Sequence, residues 1–308
     1  MKKLRLLFLI TAISVLLSGC RFFFPFYLLE YLDSAQTTTE APLPIGSDVP
    51  SHIDAEDIYY RAKFASSNEI YQYTQELTYH FEEDYKGIKY PYQVQENKQV
   101  ILADEACAVN IIGEIFHVDY PEEASEYQEY YRDESGSLAY YYADPVNDNY
   151  VREVIPLDGY TPFYIIIAYH VNSIPATMDG LTLDPQTRIL DEQEVYMLSA
   201  SQSALYVFGS TGNEAMDAQL VKRSIPTTWY VDAETYLPVR ETFTLTQIDD
   251  LLWQVINGRY VVGELENGVS FTGFTYVCNF ESFDPVEIDP IPADILQKAW
   301  KNAGASAG

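Results

Sequence analysis

The residue with the most specific chemistry is Cys20, which ends the sequence Leu17-Ser18-Gly19-Cys20. A basic start, Lys2-Lys3-Leu4-Arg5, and an apolar run over residues 6–17 precede it. A run of about a dozen residues suits a signal peptide and is shorter than the roughly 20 residues that a membrane-spanning helix needs. Small residues before the cysteine admit a peptidase, and the thiol can take a diacylglycerol thioether. We therefore expect cleavage after residue 19 and lipidation of Cys20.

An uncleaved signal anchor is the alternative, because the apolar character continues from Phe22 to Leu29. Arg21 and Pro25 interrupt that stretch, and an arginine inside a bilayer is costly, which favours the lipoprotein. Residues 1–19 are then a signal peptide. The mature protein is expected to lie on the extracytoplasmic face of the cell membrane, held there by acylated Cys20.

The elements behind this anchor are predicted from composition and periodicity. Residues 20–52 are expected to be the lipidated cysteine and a flexible tether, because residues 33–51 are rich in Thr, Ser and Pro. Residues 53–303 form one domain in this prediction, and residues 304–308 a frayed tail. A capping pattern at Asp54 begins a helix over about 54–66.

Most of the domain alternates between polar and apolar residues, which predicts antiparallel strands and few helices. The expected strands are 70–81, 97–104, 108–118, 137–143, 149–155, 163–171, 193–199, 203–208, 227–231, 237–245, 255–262 and 269–279. Acidic or Gly/Asn/Asp-rich segments such as residues 121–123 and 144–149 are predicted breaks. Pro292 leads into a short amphipathic helix over 293–300.

Charge restricts the partners of this chain. The formal net charge is −28, and it becomes −31 when Lys2, Lys3 and Arg5 leave with the signal peptide. Such a surface is repelled by nucleic acid and by anionic lipid headgroups. We therefore expect no nucleic-acid partner, and a body that stays near the membrane through its anchor.

No pattern for catalysis or for metal binding is found. The four histidines, His52, His80, His117 and His170, share no motif, and residues 209–212 lack the G-x-S-x-G spacing of a nucleophile elbow. Residues 144–149 lack the spacing of a calcium loop. Cys107 and Cys278 have no second ligand at metal-binding spacing. They are either two buried free thiols or one disulfide, which an extracytoplasmic location permits. We expect neither a cofactor nor enzyme activity.

A resemblance to a known family is carried by residues 229–240, Trp-Tyr-Val-Asp-Ala-Glu-Thr-Tyr-Leu-Pro-Val-Arg. Trp229, Asp232, Thr235 and Pro238 lie where LolA-like lipoproteins have a recurrent structural hairpin. The order of lipobox, tether, helix and many strands is also similar, as is the ending over residues 280–292. The chain resembles the LolA-like lipoproteins of Gram-positive bacteria, in detail over about residues 225–300. Where the family usually has Gly, this chain has Tyr236, so we expect a different or strained turn.

The resemblance implies a mainly-β (α+β) fold, a strongly curved antiparallel sheet or incomplete β-barrel with a few covering helices. Helix 54–66 and residues 181–190 are the expected covers. Such a sheet can leave an apolar cleft beneath its helices. We therefore expect a membrane-anchored protein that binds or carries a lipid, a lipid-linked envelope component or another amphipathic ligand. A non-catalytic module that binds another envelope protein is the alternative.

Overall fold

The structure is a computed structural model that describes residues 42–66, 70–103, 108–133, 137–144, 149–156, 179–209, 211, 213–260, 265 and 268–305. These residues form 13 strands and five helices. The strands are β1 (Ile45–Asp48), β2 (Gln72–Tyr85), β3 (Ile88–Ala103), β4 (Ala108–His117), β5 (Tyr120–Asp133), β6 (Ser137–Asp144), β7 (Asn149–Pro156), β8 (Asp179–Leu183), β9 (Gln186–Leu190), β10 (Gln193–Ser203), β11 (Ser224–Asp232), β12 (Pro238–Leu245) and β13 (Val269–Ser282). The helices are α1 (Ala55–Ala65), α2 (Ala204–Phe208), α3 (Glu214–Leu220), α4 (Asp250–Tyr260) and α5 (Ala293–Ala305).

All described strands belong to one antiparallel sheet that does not close into a barrel. The order is β1-β9-β10-β11-β12-β13-β2-β3-β4-β5-β6-β7, and β8 also pairs with β10. The longest pair, β2 and β3, is a hairpin whose turn residues Lys86 and Gly87 both have positive φ, 56° and 82°. Turns of that kind match the right-handed twist of the strands. The predicted mainly-β class is confirmed.

The two faces of the sheet have different partners. In β2, Tyr73, Leu77 and Phe81 are buried, whereas Glu76 between them is exposed. We call the face that carries Leu77 the inner face and the opposite one the outer face. On the inner face, α2, α3 and α4 contribute to one apolar cluster, and α1 packs on β10 and β11 in a second. Helix α5 packs on the outer face against Tyr130 and Tyr141.

The first helix forms as predicted, since the Asp54 carboxylate accepts a hydrogen bond from the Asp57 amide and Asp57 reciprocates. This capping box satisfies amides that would otherwise lack partners. Ile58, Tyr59 and Ala62 then bury one face of α1. Residues 181–190, the other expected cover, instead form strands β8 and β9 at the edge of the sheet.

Two predicted strands, 203–208 and 255–262, are wrong, because the described residues of both segments lie mainly in helices. Of residues 203–208, Ala204–Phe208 form α2, where Ser203 caps the helix by accepting from the Tyr206 amide and Gly209 follows with φ of 77°. Residues 255–260 belong to α4, which Asp249 begins by accepting from the Leu252 amide. A short apolar run fits a buried helix as well as a strand, so periodicity alone does not separate them.

Strand β5 was not predicted, because its acidic residues resemble a break. Its pairing with β4 and β6 on either side overrides the low strand propensity of Glu. At the other end of the sheet, part of the expected tether is ordered: β1 pairs with β9, and the Ser47 amide donates to Thr187 Oγ1 at 2.7 Å. The signal peptide, Cys20 and the predicted strand 163–171 lie outside the described residues.

Candidate functional site

Strand register brings polar side chains into one row across the inner face. Trp229 of β11 lies opposite Glu241 of β12, and Glu241 lies opposite Cys278 of β13. Cys278 lies opposite Gln75 of β2, which lies opposite Lys98 of β3. Residues paired in this way point to the same face of a sheet. We call these five residues the inner polar row; it crosses a largely apolar face, which also carries the buried polar residues Glu96, Gln202 and Thr227.

Glu241 is the most unusual member of the row. Its side chain is buried, with 9% exposure, and one hydrogen bond to it is found among the described residues, from Gln202 Nε2 to Glu241 Oε1 at 3.3 Å. Loss of hydration raises the pKa of Glu241 from 4.5 to about 7, and the Gln202 bond opposes that rise only in part. The carboxyl can therefore donate or accept a hydrogen bond near neutral pH.

Two polar atoms beside Glu241 are buried without a hydrogen-bond partner. They are the indole nitrogen Nε1 of Trp229, whose side chain has 0% exposure, and the amide oxygen Oε1 of Gln202. An unsatisfied buried donor or acceptor costs about 1–3 kcal/mol. Native proteins retain few such atoms, commonly where a water, an ion or a ligand satisfies them. This end of the row thus offers a donor, an acceptor and a titratable carboxyl.

The opposite end of the row is satisfied internally. Glu96 accepts hydrogen bonds from Tyr79 Oη at 2.8 Å and from Tyr127 Oη, and its Oε1 lies 3.7 Å from Lys98 Nζ. Glu129 accepts from Tyr131 Oη at 3.2 Å. Burial raises the pKa of Glu129, against the effect of its tyrosine hydrogen bonds. These groups link β2, β3 and β5. Among the described residues, this end of the row has no pair of unsatisfied atoms like Trp229 Nε1 and Gln202 Oε1.

Cys278 is a buried free thiol in the middle of the row. Burial is the largest cause of a pKa raised well above 9.0, and the charge of Glu241 raises it further. The thiol is therefore protonated and unreactive at neutral pH. Cys107 lies outside the described residues, so its pairing with Cys278 stays a prediction.

The predicted structural hairpin joins β11 to β12. Asp232 Oδ1 accepts from the amides of Glu234 and Thr235, at 3.1 and 2.6 Å, and from Thr235 Oγ1 at 2.7 Å. Pro238 begins β12 opposite Val231. Tyr236 has a positive φ of 62°, which is the strain expected of a side chain at this position. By closing this hairpin, Asp232 fixes the register that sets Trp229 opposite Glu241.

Two hollows in the described surface do not open on the Trp229–Glu241 end of this row. One, of about 570 Å³, crosses β2 to β5 on the outer face and is lined by polar side chains including Glu114 and Glu126. The other, of about 390 Å³, lies beside α1 and is lined by Tyr60, Arg61 and Phe64. The apolar cleft expected beneath the helices is neither of these two.

The histidines that the structure describes are not brought together, and His170 lies outside the described residues. His80 contacts Thr275 Oγ1 at 3.2 Å on the outer face, and His117 stacks with Tyr92 at the end of β4. Within the described residues no group of three His, Cys, Asp or Glu side chains is placed to hold a metal ion. No helix in that part of the chain is long and apolar enough to cross a membrane.

Sequence reasoning missed Glu241 and Gln202, although a signal for the first was present. Glu241 shares its strand face with Phe243 and Leu245, which places it inward by simple alternation. Gln202 continues the inward alternation of Leu198 and Ala200 in β10, but it lay in the gap between the predicted strands 193–199 and 203–208.

No family model and no curated protein matches this chain. Among solved structures, it is similar to a DUF1329 family protein from Desulfovibrio piger, with 12% identity over 74% of this chain and 92% of that chain and a TM-score of 0.22. It is also similar to a protein domain from Vibrio parahaemolyticus described as outer membrane lipoprotein-sorting, with 9% identity, coverage of 74% and 92%, and a TM-score of 0.23. A LolA superfamily protein from Nitrosomonas europaea has 11% identity, coverage of 80% and 99%, and a TM-score of 0.20. At these TM-scores the similarities carry no argument, so the mainly-β fold given above rests on the strand pairings.

Proposed function

We propose that the protein is a lipid-anchored, extracytoplasmic binding protein without catalytic activity. Its ligand is amphipathic and lies on the inner face, between α1 and helices α2 to α4. The polar group of the ligand binds at Glu241, Gln202 and Trp229. The observation that carries this proposal is the pair of unsatisfied atoms beside a buried carboxyl, because a bound polar group would satisfy all three.

The surroundings of this end of the row suit the apolar part of such a ligand. Phe243 stacks on Tyr276 with ring centroids 4.8 Å apart, and Phe208 of α2 meets Phe243 edge to face. Helices α2 and α3 span only five and seven residues. Helices this short depend on packing for their stability.

The test is native mass spectrometry of the full-length chain, purified from its own membranes in mild detergent, with organic extraction of whatever remains bound. We expect a co-purifying lipid-like molecule at a defined stoichiometry. Gln202→Met removes the orphan amide at similar volume, and we expect it to lose the ligand while far-UV circular dichroism stays unchanged.

Glu126→Gln is the matched control, because Glu126 is exposed on the outer face. We expect it to retain the ligand. A wild-type protein that contains no ligand, or a Gln202→Met variant that binds as much as the wild type, would refute the proposal.

A second function, binding of another envelope protein, is favoured by the polar hollow of about 570 Å³ on the outer face. In that case a photo-crosslinking residue at Glu126 captures one dominant protein in cells, whereas the same residue at Tyr85 does not. Equal or absent capture at the two positions contradicts this function.

A further inference from the structure

The C-terminal half of α1 exposes two large aromatic side chains. Phe64 is 84% exposed and Tyr60 is 63% exposed, and Phe64 is the most exposed large hydrophobic residue of the described chain. Four residues apart on a helix, they lie on the same side. With Arg61 and Tyr236 they line the hollow of about 390 Å³.

Most of each ring lies outside the core, which α1 supports with its other side, although Tyr60 meets the ring of buried Tyr59 edge to face. Ile58 and Ala62 are fully buried in the cluster with Trp229. Burying a phenylalanine side chain is worth about 1.5–3 kcal/mol, and Phe64 does not gain that energy within the domain. A second surface that covers the ring would supply it.

The charges around the rings indicate which surface that is. Arg61 Nη1 donates to Tyr236 Oη at 3.0 Å, and its guanidinium lies 4.9 Å from the Tyr236 ring centroid. Lys63 follows on the same helix, with its ammonium over the Tyr59 ring. The acidic residues of α1, Glu56 and Asp57, lie in its first turn, away from Phe64. Exposed aromatic rings beside Arg and Lys are typical of helices that lie in the headgroup layer of a membrane.

The path of the chain places this surface near the expected anchor. The described chain begins at residue 42, forms edge strand β1 and reaches α1 seven residues later. Strand β1 pairs with β9, which pairs with β10, and α1 packs on β10. The described chain therefore begins at the edge of the sheet on which α1 packs, with Leu43 against Tyr230 on the outer face.

We propose that the Tyr60–Phe64 surface of α1 binds the headgroup layer of the membrane, so that the domain lies with this corner against the bilayer. The two cations of α1 oppose the repulsion between the acidic body and anionic lipids. This contact is separate from the ligand site and does not depend on it.

The test places a tryptophan at the surface of the full-length chain. Phe64→Trp is reconstituted into vesicles of phosphatidylcholine and phosphatidylglycerol, with and without brominated acyl chains, and the emission of the parent protein is subtracted. We expect the emission of Trp at position 64 to shift to the blue and to lose intensity in the brominated vesicles.

Tyr85→Trp is the matched control, because Tyr85 is also exposed and also has a cation, Lys86, over its ring at 4.8 Å. It lies at the β2–β3 hairpin, and we expect its emission to be the same in both vesicles. Equal quenching at positions 64 and 85, or none at position 64, overturns the proposal. If a photo-crosslinking residue at position 64 captures one dominant protein in cells and lipid quenching is absent, the surface belongs to a protein partner and the proposal is overturned as well.

Discussion

Glu241→Gln should change how the stability of the protein depends on pH. The pKa of Glu241 is raised from 4.5 to about 7 in the folded protein, so between these values the folded state holds a proton that the unfolded state has released. Stability then falls as pH rises through that window, and it is constant below and above it as far as this group is concerned.

The magnitude follows from the width of the window. The free energy of unfolding changes by about 1.4 kcal/mol per pH unit while one proton separates the two states. From pH 4.5 to about 7, the ionisation of Glu241 therefore lowers the free energy of unfolding of the wild type by about 3 kcal/mol. Glutamine has a similar shape, keeps an oxygen for Gln202 and never ionises, so Glu241→Gln avoids that loss.

Urea unfolding at pH 4.5, 6 and 8, followed through tryptophan emission, to which buried Trp229 contributes, measures the effect. We expect the difference between variant and wild type to move by about 3 kcal/mol in favour of Gln between pH 4.5 and pH 8. Glu129 contributes equally to both proteins and cancels. Glu126→Gln, at an exposed position, should follow the wild type. If the curves of Glu241→Gln and wild type stay parallel, the burial argument is refuted.

Three other outcomes follow from the packing. Cys278 should resist iodoacetamide in the folded protein and react once urea unfolds it, as located by peptide mass spectrometry; labelling that also requires a reductant would instead show a disulfide. Asp232→Ala should lower the free energy of unfolding by about 1–2 kcal/mol, because three hydrogen bonds to its side chain are lost, whereas Glu234→Ala in the same turn should have little effect; equal losses would contradict the assigned role. In α1, Ile58→Ala should cost about 2–5 kcal/mol, while Phe64→Ala should stay within about 0.5 kcal/mol of the wild type; a large loss at Phe64 would show that the domain already uses its ring.

The sequence predicted the fold where a single interaction decides local structure. The alternation of β2, with Tyr73, Leu77 and Phe81 on one face, and the cap at Asp54 both act within a few residues. The strand predictions for residues 203–208 and 255–260 were wrong because an apolar run has the same composition in a helix and in a strand. Only packing on the sheet selects the helix there. Strand β5 was not predicted because its pairing with β4 and β6, not its acidic residues, determines its conformation.

The candidate site was harder to predict than the fold, since it depends on pairings across five strands. Glu241 and Cys278 are 37 positions apart in the chain, yet they face each other only because β12 and β13 pair in one register. Gln75 joins them from almost the other end of the domain. An unsatisfied atom such as Trp229 Nε1 cannot be recognised in a sequence, because it is defined by the absence of a neighbour.

The donors and acceptors at the proposed site restrict the polar group that it can bind. Below about pH 7, where Glu241 is neutral, its hydroxyl and the Trp229 indole both can donate, and Gln202 Oε1 accepts. A neutral ester, amide or hydroxyl group satisfies such a set without bringing an unpaired charge into an apolar face. A cationic ligand would instead favour ionised Glu241 and release a proton on binding, and an anionic ligand would favour the protonated form and bind more weakly as pH rises. In the wild type, affinity that rises from pH 6 to pH 8 therefore indicates a cationic group, and affinity that falls indicates an anionic group or a neutral group that accepts from the Glu241 hydroxyl. In Glu241→Gln, which does not ionise, either slope should disappear.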